Sequence, residues 1–489
     1  MNSRSYLVFA VCAASLLLSS CSGVGNRCVT NCGGGGNASL SVSISDTPPT
    51  NTTVVSFTLP IIAISLTSSS GTQVAVPTSG TANFELTRLQ TDSDVVVTNA
   101  SVAAGTYTAI NVTVGAASGT FINNSGAAVG ACPAANPFSV CGIPSGVTTT
   151  ITSPISLTLT GGAHQWLDLD FNYNNAIVTT SGIGIDMQQP NVLTATTTTP
   201  IGVPSGDFAF VDDFTGRVTT VSSSSITLSS TVRGNLTATI TGTTQIFDPQ
   251  SPAQCTGGTA TLSCIHVGSI VSLQGVLTNT GAIDATSLDV IDASTTPADE
   301  VEGTIYPSTC NGTGSIGMIL SDSSIVSSGS AFSSAGFGSG VCLTLSPTGS
   351  LLIDSGILTG QPGLPVTNAG FNNATDLLAG QTIRAKVTGA ASGTNGINAT
   401  ATAMILRFSR LTGTFGTLSG NGFIINGLPT YITAFVAPPV VQTFTNATLF
   451  EGAANVSSLS GTVSISALFY NPVGGPTTGP LQAAKVRQH

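Results

Sequence analysis

Two stretches of this sequence combine residue types that could do chemistry. In LLIDSG, Asp354 sits in an apolar-Asp-Ser-Gly turn, the setting in which two facing carboxylates share a proton and act as acid and base. That chemistry needs a second such turn and none occurs, since Asp46 is followed by Thr47 and Pro48 rather than glycine. Asp354 is therefore expected to be an ordinary turn aspartate. In DLDFNYN, Asp168, Asp170, Asn172 and Asn174 alternate, which puts their oxygens on one face of a strand and would suit calcium. The twelve-residue calcium loop requires Gly at position six and Glu at position twelve, where Tyr173 and Thr179 stand. A solvated polar strand face is the expectation, with an oxygen-rich calcium site of another type as the alternative.

Serine hydrolysis has no G-x-S-x-G elbow to work from. The three histidines, His164, His266 and His489, stand in no recognisable acid-base motif. His164 beside the only tryptophan, Trp166, reads as a packing pair at a strand end. An exposed Trp would instead stack on a sugar ring, which keeps glycan binding as a minor reading. The N-x-[ST] triplets at Asn51, Asn111, Asn235 and Asn398 follow from composition. No catalytic residue, metal or cofactor is implied.

The cysteines say more. Residues 1–20 have Arg4 as a short positive start, YLVFAVCAASLLL as an apolar run too short to span a bilayer, and LSSC ending at Cys21. This resembles the lipobox of bacterial lipoproteins. The resemblance implies cleavage before Cys21, lipid attachment to it and anchoring of a soluble body in the cell envelope. Ser22 in place of an acidic residue favours the outer membrane; an ordinary secretory signal is the alternative. Eight further cysteines fall into neighbouring pairs: Cys28 and Cys32, Cys132 and Cys141, Cys255 and Cys264, Cys310 and Cys342. In an exported protein an even set reads as disulfides, and sequence-adjacent pairing is the simplest connectivity. Zinc would want paired C-x-x-C elements or nearby histidines. CVTNCGGGG then forms a looped tether and spacer over residues 21–37.

The elements that must position these residues are strands. Of 489 residues only 7% are charged and 41% are hydrophobic, with abundant Gly, Ser, Thr and Asn. Thr, Val and Ile favour strands while Gly, Asn and Pro favour turns, and no span keeps a helical period. Net charge is −10; with the basic residues scattered, a nucleic-acid partner is disfavoured, and an acidic exterior is expected to serve solubility.

Short alternating runs from Ala38 to residue 196 predict a β-sandwich. Within it, LSVSISDTPPTNTTVVSFTLPIIAISL, FELTRLQTDSDVVVTNASVAAGTYTAINVTV and LDLDFNYNNAIVTTSGIGIDMQQP resemble, in order, the opening, middle and closing signatures of domain of unknown function 4382. The resemblance covers about a third of the chain and implies an immunoglobulin-like or transthyretin-like sandwich in an envelope lipoprotein. The closing signature departs from the family at Asn172 and Ala176.

After the join TATTTTPIGVPSG, three units repeat in order. Each opens with a glycine-containing strand at Gly216, Gly303 or Gly413, and continues with a second at Gly268, Gly380 or Gly461. Such units suggest small closed barrels, because closure leaves no edge to aggregate. They resemble domain of unknown function 5666, which implies OB-like barrels; a second sandwich is the alternative. The expected layout is a sandwich over 38–196, a linker over 197–206, and repeats over 207–296, 297–409 and 410–489, the middle one with an insertion, each folding separately between exposed joins.

Functionally this describes a non-enzymatic, lipid-anchored envelope protein, a surface binding or scaffolding module with a protein or glycan partner. The alternative is an accessory or unrecognised hydrolase using carboxylates, or a glycan-binding protein.

Overall fold

The computed structural model describes residues 36–489 except 51, 79, 135–138, 180–182, 199–209, 249–254, 256–259, 307–309, 311–314, 355–362, 366–369, 394–395, 435–438 and 471–479. Cys21, Cys28, Cys32, the signal segment, most of the tether and most of the first linker therefore lie outside the described residues.

The chain is nearly all β. In the N-terminal domain one sheet runs in the order Leu193–Thr198, His164–Phe171, Asn37–Asp46, Asp94–Ala103. The other is built on the long strand Val54–Ser68, between Ser118–Asn123 and Gly105–Val114, with Ser139–Ile143 and Thr149–Leu159 outermost. Their facing side chains, among them Leu40, Val42, Ile44, Phe57, Ile110, Val112, Leu167 and Phe171, make one core. Alternation explains this: Leu40, Val42 and Ile44 point into the sandwich, and Ser39, Ser41, Ser43 and Ser45 point the other way.

Three five-stranded OB-like barrels follow, each with strand order 1-2-3-5-4 and each closed by a parallel pairing of its third and fifth strands. The first comprises Phe210–Val221, Ser225–Ser230, Gly234–Thr239, Ile270–Leu277 and Ile283–Asp292, closing at Thr239 and Asp284. The second comprises Asp299–Tyr306, Ser315–Ser324, Gly340–Ile353, Thr382–Gly393 and the first part of Gly396–Ser419. The third takes the rest of Gly396–Ser419, then Gly422–Asn426, Val440–Gln442, Thr462–Phe469 and Leu481–Gln488, closing at Val441 and Leu481.

Steric demands account for the repeated glycines. A Cβ on Gly303 would lie 2.0 Å from the Ile319 carbonyl oxygen, one on Gly413 2.3 Å from that of Asn426, and one on Gly216 2.9 Å from the Ser229 backbone. Each first strand is thus pressed against its second where only glycine fits. The second set of glycines turns the chain: Gly268, Gly380 and Gly461 have φ of 105°, 92° and 63°, a region that side chains disfavour.

No break separates the second and third barrels. The expected boundary at 409/410 falls inside Gly396–Ser419, a single strand shared by the second and third barrels. Along it Met404, Leu406 and Phe408 enter the second core, whereas Leu411 and Phe415 join the third. The inward face changes from even to odd positions, so the two barrels lie on opposite sides of one strand. The join DASTTPADE is only partly exposed, because Asp292, Asp299 and Glu300 are buried. Nor is the exterior where most of the described acidic residues reside. Asp212, Glu302 and Asp322 have no exposure and Asp46, Asp289 and Glu300 have 1%; arginines drawn from other units accompany several of them inside.

Candidate functional site

The structure assembles a buried ionic junction where the N-terminal domain meets all three barrels. It begins on the first strand of each barrel, just before the repeated glycine. There Thr215 pairs across to Ser272, Glu302 to Arg384 and Thr412 to Ser464. The first and third pairs are hydroxyl hydrogen bonds of 2.9 and 2.6 Å. In the middle barrel the equivalent pair is ionic, at 3.4 Å. Neighbouring positions on the same strands carry Asp212 and Asp213, Glu300, and Arg407 and Arg410, so the repeat presents matching faces of opposite charge to a common centre.

The N-terminal domain supplies the remaining side through a 3-10 turn, Leu86–Arg88, capped by the Glu85 carboxylate, and the segment after it. Arg88 donates from Nε to Asp212 at 2.7 Å, from Nη1 to Glu302 at 2.6 Å and to Ser321 at 3.2 Å, and from Nη2 to Asp213 at 3.2 Å. It thereby ties two barrels to the sandwich. Backbone bonds reinforce it: the Ser93 amide donates to the Phe210 carbonyl and the Asp212 amide to the Ser93 carbonyl. Arg410 pairs with Asp212 and Asp213, Arg407 with Asp213 and Asp354, Arg384 with Glu300 at 2.8 Å, and Arg233 with Asp212 at 3.1 Å. To one side Lys485 bridges Asp92 and Glu451 at 3.1 and 3.2 Å.

Five guanidiniums, those of Arg88, Arg233, Arg384, Arg407 and Arg410, therefore share the junction with the carboxylates of Asp212, Asp213, Asp289, Glu300, Glu302, Asp322 and Asp354, and at its margin with those of Asp92 and Asp94. Burial disfavours every charge here, and the arginines rescue some carboxylates and not others. At Asp213, burial alone would raise the pKa, but Arg410, Arg407 and Arg88 outweigh it and hold it well below the usual range. At Asp212 burial prevails over Arg410, Arg88 and Arg233, and the pKa rises to about 7. At Asp289 burial again prevails, with only Arg407 opposing, and the pKa rises to about 6. A cavity of about 50 Å³ adjoins the junction, lined by Arg88, Arg410, Thr304, Ser321, Thr382 and Tyr431 among others.

The residues singled out in the sequence have other roles. Asp354 is not an ordinary turn residue: it is 3% exposed and paired with Arg407. Asp168 is not on a solvated face either. It is 2% exposed and accepts hydrogen bonds of 2.6 Å from Ser43 and Ser45 on the neighbouring strand. Asp170 accepts from Thr47, Asn172 caps the short helix Tyr173–Ala176, and Asn174 lies within that helix. Among the described residues no group of three or more His, Cys, Asp or Glu is placed to hold a metal.

Trp166 is 1% exposed, which removes it as a sugar platform. It packs edge-on against His164 at 5.7 Å and donates from Nε1 to the Thr278 carbonyl of the first barrel. His164 contacts the Asn279 carbonyl through Nδ1 and Ser41 through Nε2, both at 2.9 Å. A proton on Nδ1 satisfies both contacts, so His164 also fastens sandwich to barrel. His266 is exposed, and His489 meets Ser464 at 2.7 Å. Disulfides join Cys132 to Cys141, Cys255 to Cys264 and Cys310 to Cys342.

Residues 37–188 match the family model of a domain of unknown function, DUF4382. The matched span holds the whole LTRLQTDSD segment, through which the N-terminal domain docks on the barrels. No curated protein matches the chain.

Proposed function

We propose that this protein is a non-enzymatic, lipid-anchored component of the bacterial cell envelope, attached through Cys21 to the outer membrane and working as a binding or scaffolding body. The observation that supports this reading is the junction. A chain with very few charges spends many of them on fastening four β-units to one another, an investment in shape rather than in a reactive centre. Asp354 and Asp168, the residues best suited by sequence to carboxylate chemistry, are both engaged in that internal structure. Hydroxyl pairs on exposed strand faces, such as Thr113 with Thr150 and Thr227 with Thr237, leave an uncharged surface for a protein or glycan partner. The likeness of the three barrels to domain of unknown function 5666 belongs to the same reading.

Fractionation of cells expressing wild type and Cys21→Ala tests the anchor. Wild type is expected in the outer-membrane fraction and the variant in the soluble fraction; unchanged membrane partitioning of the variant refutes anchoring. Scaffolding is tested in a deletion strain, where loss of cell-surface adhesion restored by wild type is expected, and unaltered adhesion overturns that role.

A further inference from the structure

We propose that Lys485 and Asp92 condense into an amide, a covalent cross-link that fastens the last strand of the third barrel to the N-terminal domain. The chain has only two lysines, Lys386 and Lys485. Lys386 has a side chain 23% exposed and ion-pairs with one carboxylate, that of Asp292. Lys485, on Leu481–Gln488, is 2% exposed, and its Nζ has two carboxylates beside it: Asp92 Oδ1 at 3.1 Å and Glu451 Oε2 at 3.2 Å.

Three elements from distant parts of the chain bring these groups together. Leu449–Glu451 runs parallel to the lysine strand with Leu449 opposite Lys485, so Glu451, two residues on, lies on the same face. Asp92 arrives from the docking segment that follows the 3-10 turn. The surroundings are apolar: the centroid of the Phe210 ring is 4.3 Å from Nζ, and Phe210 packs with Leu449. Where water is excluded, charged forms lose their advantage over an amine beside a carboxylic acid, and the uncharged pair is the one that can react. Held in contact by the fold, the two groups meet without the entropic cost of an encounter.

Each neighbour then has a role. One proton of the ammonium moves along the Nζ–Oδ1 hydrogen bond to Asp92, leaving a nucleophilic amine beside a carboxyl. Nζ adds to Cγ and negative charge develops on Oδ2. That oxygen accepts a hydrogen bond of 2.8 Å from Thr91 Oγ1 and has Arg410 Nε at 3.8 Å, which stabilises the oxyanion. A second proton passes from Nζ to Glu451 and on to Oδ1; the Cγ–Oδ1 bond breaks, Oδ1 leaves as water and the Oδ2 carbonyl reforms. Burial raises the Glu451 carboxyl above its usual range and Asp92 adds to this, with Lys485 and Arg487 opposing, which suits a group that takes up a proton and returns it. Ammonium and carboxylate become amide and one water, Glu451 ends as it began, and no other reactant is needed. A cavity of about 30 Å³, lined by Asp92, Lys485, Phe210 and Phe408 among others, has room for that water. The bond joins positions 393 apart, so the N-terminal domain stays attached to the barrels even when the ion pairs of the junction break.

Peptide mapping by mass spectrometry tests this on the purified full chain, reduced, alkylated, denatured and digested. Folded wild type is expected to yield a branched peptide containing both Asp92 and Lys485, lighter by one water than its two arms together, with fragment ions placing the branch at these residues. Lys485→Arg, which keeps the charge without the amine, is expected to yield only the two linear peptides. Glu451→Gln, purified on the same schedule, is expected to show a branched fraction at least about tenfold smaller. Linear peptides alone from wild type, a branch at other residues, or an undiminished branched fraction in Glu451→Gln overturns the proposal. If the variants do not fold, the wild-type map alone decides, and it reads the same whether or not Cys21 carries a lipid.

Discussion

Replacing Arg88 with Met keeps most of the side-chain volume and removes the guanidinium. In the wild type that group makes ion pairs with Asp212 and Asp213 on one barrel and Glu302 on another, with a hydrogen bond to Ser321. All three acids are buried and lose a partner at once. Removing one member of a buried pair costs about 3 to 5 kcal/mol, because the charge left behind remains desolvated. Asp212 keeps Arg233 and Arg410, and Asp213 keeps Arg407 and Arg410. The loss is therefore placed within that range rather than at a multiple of it. The only tryptophan makes the assay specific, since Trp166 is buried against the first barrel. Urea unfolding at pH 7 followed by Trp166 fluorescence is expected to show a midpoint lower by about 1 to 1.7 M, taking a slope of about 3 kcal/mol per M. Arg88→Lys retains the charge without the fork of donors and is expected to fall between the two. A midpoint within about 0.3 M of wild type for Arg88→Met, equivalent to about 1 kcal/mol at that slope, would show that the junction is not what holds the units together.

Gly303→Ala forces a Cβ to within 2.0 Å of the Ile319 carbonyl oxygen and is expected to cost at least about 2 kcal/mol. Gly242→Ala, with nothing within 4 Å, is the control, and equal melting temperatures for the two would contradict the close-approach argument. Replacing both Cys310 and Cys342 with Ser should lower stability by about 2 to 4 kcal/mol; non-reducing peptide mapping of wild type should recover the three neighbouring pairs, and crossed pairs would overturn the assignment. Limited proteolysis should spare residues 405–412, because that segment is strand in two barrels, and early cleavage there would restore the picture of separate units.

Much of the architecture was legible in the sequence. Alternation identified the strands, and the glycines at Gly216, Gly303 and Gly413 marked the three barrels because a steric requirement recurs with the fold. The junction was not legible, although its residues stand in plain view in DDFTG, DEVEG and RFSRLTG. A charged residue on a strand face reads as solvent-exposed unless its partner is known, and most of the partners here lie between about 50 and 230 positions apart. Asp354 and Asp168 were misplaced for the same reason: Arg407 and the serines of the first strand reach them only through tertiary packing. The usable signal was scarcity. In a chain with 7% charged residues, charges that recur just ahead of the repeated glycine in all three units call for a structural account.

The shared strand Gly396–Ser419 also restricts which length changes this gene can tolerate. From Met404 to Phe408 even-numbered side chains fill one barrel, and odd-numbered ones fill the next from Leu411. Deleting one codon between them would reverse the facing of everything beyond, turning Leu411 and Phe415 outward and Arg410 and Thr412 into an apolar core. Removing two codons would preserve facing and shorten the spacing between the barrels by one pleat. Variation in length at this point should therefore come in steps of two, whereas the exposed turns elsewhere accept single insertions.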